Sequence, residues 1–173
     1  MIIWMIGLSG AGKTTIGRHV YSQWKDFEPN TVFVDGDEIR ELFKHDQRPD
    51  SHTVAGRQIN ADRITELCLW LDRQDINVVC CILSIFPEMR ACNRVRFSRY
   101  FEVCVSVPME TLINRDVKNL YVPALKGEIS DVVGIDIPFP EPTSSDLVLD
   151  NSVEGKDPRE LARRILDAAG LAP

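Results

Sequence analysis

Apolar positions along this chain gather into short unbroken runs, with stretches of helical spacing between them. Ile2-Ile3-Trp4-Met5-Ile6 is the first run, Thr31-Val32-Phe33-Val34 the second, and Asn77-Val78-Val79-Cys80-Cys81-Ile82-Leu83 the third. Phe101-Glu102-Val103-Cys104-Val105 is a fourth, nearly continuous, and Asp146-Leu147-Val148-Leu149 is a weaker fifth. Runs without polar alternation read as strands covered on both faces, the pattern of a parallel sheet. Thr14 to Lys25 reads as a helix, and so does about Val54 to Arg73, where Ile59, Ile64, Leu67 and Leu71 recur at helical spacing. Pro158 opens a last helix near Arg159 to Ala169, with Leu161, Ile165 and Leu166 suited to docking on the sheet. Pro138 to Ser145 is proline-rich and reads as an ordered loop. The expected fold is α/β, three layers built around a mostly parallel five-stranded sheet, in one domain over residues 1–173.

Composition narrows the class. The 173 residues suffice for one sizeable core, and 44% hydrophobic with 27% charged content is ordinary for a soluble globular protein. A net charge of −6 supplies no global basic field, so no nucleic-acid polymer is expected as a partner. No apolar stretch is long enough to span a membrane, and the first run leads straight into a glycine loop rather than a cleavage site. Cys68, Cys80, Cys81, Cys92 and Cys104 are odd in number and show no C-x-x-C spacing, which points to reduced, buried thiols and a cytoplasmic location.

The candidate chemistry begins at the end of the first run. Gly7-Leu8-Ser9-Gly10-Ala11-Gly12-Lys13-Thr14 fits G-x-x-x-x-G-K-[ST], the P-loop or Walker A pattern, at every fixed position, with a strand before it and a helix after it. Glycines let the backbone turn with its N–H groups inward, and the helix N-terminus adds unpaired donors and partial positive charge. Lys13 is placed to reach the β- and γ-phosphates of ATP, Thr14 to ligate Mg²⁺, and Ser9, Gly10, Ala11, Gly12 and Thr15 to complete the cradle. Asp35-Gly36-Asp37 follows the second strand, at the strand end where open α/β sheets bind ligands. Its two carboxylates can orient Mg²⁺ or take a proton from an acceptor hydroxyl, and Asp37 can also cap a helix from Glu38. Arg40 stands one turn further on. Arg57, Asn60 and Arg63 form a polar edge on the long helix, suited to gripping an anion. Ser84 at the end of the third strand and Arg115-Asp116 after the fourth point to the same rim, followed by Lys118, Tyr121 and Lys126.

These motifs in order resemble the adenylylsulfate kinases: Gly7 to Thr15, Val34-Asp35-Gly36-Asp37-Glu38-Ile39-Arg40, Arg57-x-x-Asn60, Phe101-Glu102-Val103, Arg115-Asp116, Leu120-Tyr121, Gly127-Glu128-Ile129 and Gly134-Ile135-Asp136. The resemblance implies a P-loop kinase that transfers the γ-phosphoryl of MgATP to the 3′-hydroxyl of adenosine 5′-phosphosulfate, in sulfate assimilation, commonly as a homodimer. It implies that Asp37 or Asp35 serves the acceptor hydroxyl and the metal, and that Arg40, Arg57 and Asn60 hold the acceptor. It also places Arg115 in a lid, about residues 115–135, near ATP. The acceptor side departs from the family. Gln47 to Thr53 has no phenylalanine where the family has Gly-Phe-Ser, and Val132-Val133-Gly134-Ile135 stands for Phe-Thr-Gly-Ile. Leu83-Ser84-Ile85-Phe86-Pro87 stands for Ile-Ser-Pro-Tyr-Arg, and Tyr121-Val122-Pro123-Ala124-Leu125 for Tyr-Lys-Lys-Ala-Arg. Two lost base-stacking partners are worth about 1–3 kcal/mol each. Ile85 and Val133 therefore line an altered pocket, and a second reading is a paralogue acting on another small nucleotide such as cytidine diphosphoramidate, from capsule modification. A nucleotide-switch module is a third, without any Asn-Lys-x-Asp guanine-reading motif to support it.

Overall fold

The computed structural model describes residues 1–153 and 155–171. Five strands, β1 (Ile2–Ile6), β2 (Thr31–Asp35), β3 (Asn77–Cys81), β4 (Tyr100–Ser106) and β5 (Leu147–Asp150), form one sheet in the order β2-β3-β1-β4-β5. Every pairing is parallel, as apolar runs buried on both faces require. The helices are α1 (Lys13–Phe27), α2 (Gly36–Leu42), α3 (Val54–Asp72), α4 (Pro87–Arg96), α5 (Met109–Arg115), α6 (Tyr121–Leu125) and α7 (Pro158–Ala168).

The period-two geometry of a strand sorts β1 between two cores. Ile3 and Met5 join Val20 and Trp24 of α1 and Leu161 and Ile165 of α7 on one face. Ile2, Trp4 and Ile6 join Ile64, Cys68 and Leu69 of α3 on the other. All five β1 residues are fully buried, which places the first strand at the centre of the molecule. The expected helices agree with α1, α3 and α7 to within two residues at each end.

Three expectations need correction. The third strand was expected to reach Leu83, but pairing stops at Cys81, and the chain turns at Ser84, whose φ of +56° cannot continue a strand. Helix α2 is capped by Asp35 rather than Asp37: the Asp35 side chain accepts from the Asp37 N–H, so the helix starts at Gly36. Of the five thiols, Cys68, Cys80, Cys81 and Cys104 are buried as expected, but Cys92 on α4 is exposed.

Candidate active site

The sheet order reverses at β1, with β3 on one side and β4 on the other, and the glycine loop leaves β1 at that point. A crevice opens there because the connections diverge to opposite sides. Gly7 has a φ of +147°, and a Cβ on it would lie 2.5 Å from the Val105 carbonyl, so the loop passes too close to β4 for any side chain. Gly12 caps α1 in the left-handed region at φ +96°. The loop carbonyls are tied from outside: the Tyr121 hydroxyl donates to Ser9 O at 2.8 Å, and Asn151 Nδ2 to Ala11 O at 2.9 Å.

A cavity of about 790 Å³ lies over this loop. Ser9, Gly10, Gly12, Lys13, Thr14 and Thr15 line its floor, Asp35, Asp37, Arg40, Arg57 and Asn60 one side, and Ser84, Ile85 and Val133 the other. Residues read separately along the sequence are thus brought to one space. Gly7, Ala11 and Arg115 are not among the lining residues. Arg115 instead donates to the carbonyls of Asn151 and Ser152 at 3.1 and 3.0 Å, fastening the loop that follows β5. Arg63, the last member of the polar edge, stacks its guanidinium over Phe43 at 5.4 Å and does not reach the cavity.

The two aspartates separate cleanly. Asp35 is buried with both oxygens engaged, one by the Asp37 N–H at 2.9 Å and one by the Thr14 hydroxyl at 2.7 Å. Asp37 stands exposed on the rim, its carboxylate paired with Lys118 from the α5–α6 connection. Burial works to raise the Asp37 pKa, but the Lys118 hydrogen bond and charge, with Arg40 and Lys13 behind them, outweigh it and hold the carboxyl below its ordinary value. Lys13 Nζ donates to Leu8 O at 2.8 Å, and burial within the loop pulls its pKa down to about 8. An ammonium so poorly compensated is primed for an anion. Thr14 and Asp35 offer hard oxygens, the donor set for a Mg²⁺ that keeps its other positions for water and phosphate.

On the acceptor side, Arg40 Nη1 donates to Ser51 O, while its buried Nε has no partner. Asn60 Nδ2 donates to Gly36 O at 3.1 Å, and its buried Oδ1 is likewise unpartnered. Arg57 bridges His52 O and, at 2.8 Å, Asp131 O. Burial lowers the pKa of both Arg40 and Arg57, two partly buried cations at one end of the cavity. Opposite them, Ile85, Val133 and Ile137 pack with Leu83, Phe86 and Phe139 as an apolar cluster. The segment after α5 closes over this space. The Asp116 carboxylate accepts the N–H groups of Leu120, Tyr121 and Val122, which starts α6, and Asp136 accepts those of Asp131 and Val132. Leu83 and Phe86, on either side of Ser84 and Ile85, also line the cavity, and so do His52 and Ile129, whose presence there sequence reading missed. Only the crossing of distant segments brings them in, so no local spacing marks them.

A family model described as adenylylsulphate kinase matches residues 1–150. The cytidine diphosphoramidate kinase of Campylobacter jejuni subsp. jejuni serotype O:2 is 39% identical over 151 residues, covering 87% of this chain and 86% of that protein. The adenylyl-sulfate kinase of Halothermothrix orenii is 36% identical over 147 residues, covering 85% and 78%. The structure of the Mycobacterium tuberculosis APS kinase in complex with AMPPNP and APS superposes with a TM-score of 0.82 at 28% identity, over 98% of this chain and 96% of that one.

Proposed function

The chain belongs to the adenylylsulphate kinase family, and on that footing we propose that it transfers the γ-phosphoryl group of ATP to a hydroxyl of cytidine diphosphoramidate or a closely similar pyrimidine nucleotide. The observation that carries the choice of acceptor is the wall of the cavity. Ile85, Val132 and Val133 are aliphatic and buried, and Phe86 is the single phenyl ring among the lining residues. The other aromatic group in that lining is the smaller imidazole of His52, so no pair of phenyl rings is offered to an adenine, whereas a smaller base needs less stacking surface. The 39% identity to a cytidine diphosphoramidate kinase supports the same reading.

Each residue then has a chemical task. Lys13 and the loop N–H groups hold the β- and γ-phosphates of ATP. Thr14 and Asp35 would hold Mg²⁺, which when bound spreads the charge developing on the phosphate oxygens. Arg40, Arg57 and the free Oδ1 of Asn60 hold the acceptor. Asp37 accepts the proton of the acceptor hydroxyl as its oxygen bonds to the γ-phosphorus. The bond from that phosphorus to the bridging oxygen breaks, and ADP leaves with the electron pair. For this Asp37 must release Lys118, which is then free to turn to the phosphates. Residues 115–135 act as the lid over this exchange.

Adenosine 5′-phosphosulfate is the second reading, favoured by the retained Arg40, Arg57 and Asn60. ADP release with MgATP and each acceptor separates the two. A higher kcat/KM for cytidine diphosphoramidate is expected; a higher value for adenosine 5′-phosphosulfate would transfer the assignment to sulfate activation.

A further inference from the structure

One buried ionic cluster is left without a task by the chemistry above. Glu102 stands in the middle of β4 with its side chain 1% exposed. The Tyr100 hydroxyl donates to one of its oxygens at 2.8 Å and the Ser145 hydroxyl to the other at 2.8 Å. Burial and then the Glu102 charge push the Tyr100 phenol well above its ordinary pKa, which keeps it a donor to that carboxylate. Arg90 of α4, also buried, brings its Nε to 3.9 Å from Glu102. Its Nη1 donates at 2.9 Å to the carbonyl of Ser84, in a bond itself buried.

Ser84 is where the chain leaves β3 for the cavity wall. It holds a φ of +56°, a backbone state that residues with a Cβ rarely keep unless something fixes it. Immediately after it, Ile85 and Phe86 turn into the apolar cluster that faces the cavity. An apolar pair of similar volume would hold α4 on the sheet at least as well as a buried guanidinium and carboxylate. What the guanidinium adds is a donor aimed at one carbonyl.

We propose that Arg90 is a positioning residue for the phosphoryl acceptor: anchored on Glu102, it fixes the Ser84 carbonyl and so holds Ile85 and Phe86 as one wall of the acceptor pocket. This deepens the acceptor-site reading above and rests on it. Arg90 touches no reacting atom. It ties the acceptor wall to the interior of the sheet, while the phosphate loop is held independently by β1 and α1.

The test is steady-state kinetics of Arg90→Met, Arg90→Lys and Glu102→Gln, with thermal melts of each, using whichever acceptor the intact enzyme phosphorylates. Arg90→Met is expected to raise the acceptor KM roughly tenfold while the ATP KM stays within roughly twofold. In Arg90→Lys the ammonium reaches Glu102 or the Ser84 carbonyl but not both, and an intermediate rise is expected. Glu102→Gln keeps one hydroxyl donating to its remaining oxygen, turns the other contact into an amide N–H donating to the hydroxyl, and loses the anchoring charge, so a smaller rise in the same direction is expected. If Arg90→Met fails to fold, the other two variants decide by the same split. An unchanged acceptor KM in the folded variants, or both KM values rising together, overturns the proposal and leaves Arg90 a packing residue of α4. Because the split is read on the acceptor the enzyme actually uses, a mistaken acceptor identity leaves this test intact.

Discussion

Two charged side chains carry most of what this site can do, and each makes a measurable statement about pH. Lys13 is held near pKa 8 by burial in the loop. ATP phosphates beside it restore the ordinary affinity for the proton, so ATP binding takes up a proton above about pH 8. ATP affinity is therefore expected to be constant below that pH and to fall above it, by up to about tenfold per unit. Titration calorimetry in buffers of different ionisation enthalpy reads both the affinity and the proton. Lys13→Ala is expected to bind ATP more weakly, without this pH dependence, and to lose turnover by roughly a hundredfold or more. At Asp37 the sign is opposite. Lys118 holds the carboxyl low, so the acid limb of kcat/KM, where a protonated Asp37 stops accepting a proton, lies below the ordinary carboxylate range. Lys118→Met leaves burial less opposed, and the limb is expected to move to higher pH. A limb that does not move would place the base elsewhere.

Among the elements, the sequence disclosed those whose burial is apolar. β1, α1 and α7 carry apolar core residues at strand or helix spacing; α3 was found by its spacing too, but of Ile59, Ile64, Leu67 and Leu71 only Ile64 is fully buried, Ile59 is exposed, and the helix also buries Asn60, Thr65 and Asp72. Helix α4 was not found. Its buried residues are Arg90 and Asn93, so a hydrophobic pattern has nothing to register, and its exposed face carries Val95. The same blindness applies to Glu102, a carboxylate inside what reads as an apolar run. The fit of α1 to the sheet also escapes the pattern, because it depends on a side chain that is absent. A Cβ on Gly17 would lie 2.4 Å from Cys81 Sγ, a sulfur buried in β3. Gly17→Ala forces either α1 or the Cys81 side chain to shift and is expected to cost about 1–3 kcal/mol in urea unfolding, although alanine is the better helix former. A neutral or stabilising result would mean that Cys81 turns aside without cost.

For the whole molecule, the phosphate end of the cavity was legible in a single stretch of sequence, and the acceptor end was not. Gly7 to Thr15 is local, and its geometry follows from its own glycines and the helix it opens. The acceptor end is assembled from β3's exit, α2, α3 and the segment after α6, which meet only once the sheet is complete. Motif resemblance named Arg40, Arg57 and Asn60, and it flagged the changed wall at Ile85 and Val133. It could not show that Arg57 fastens Asp131 or that Lys118 engages Asp37. Both contacts join the same closing segment to the acceptor side. Among the described residues no helix is long and apolar enough to cross a membrane.

The placement of β1 reaches back to the birth of the chain. Its register partners are residues 78–81 of β3 and 100–104 of β4, and nothing earlier in the sequence hydrogen-bonds to it within the sheet. A ribosome adding about 5–20 residues per second delivers those partners only seconds after β1 itself. The nucleotide loop follows β1 directly, so it is made before the strands that fix its place in the sheet. Through that interval the five apolar residues of β1 have no sheet to enter, and they are the segment a chaperone would find exposed.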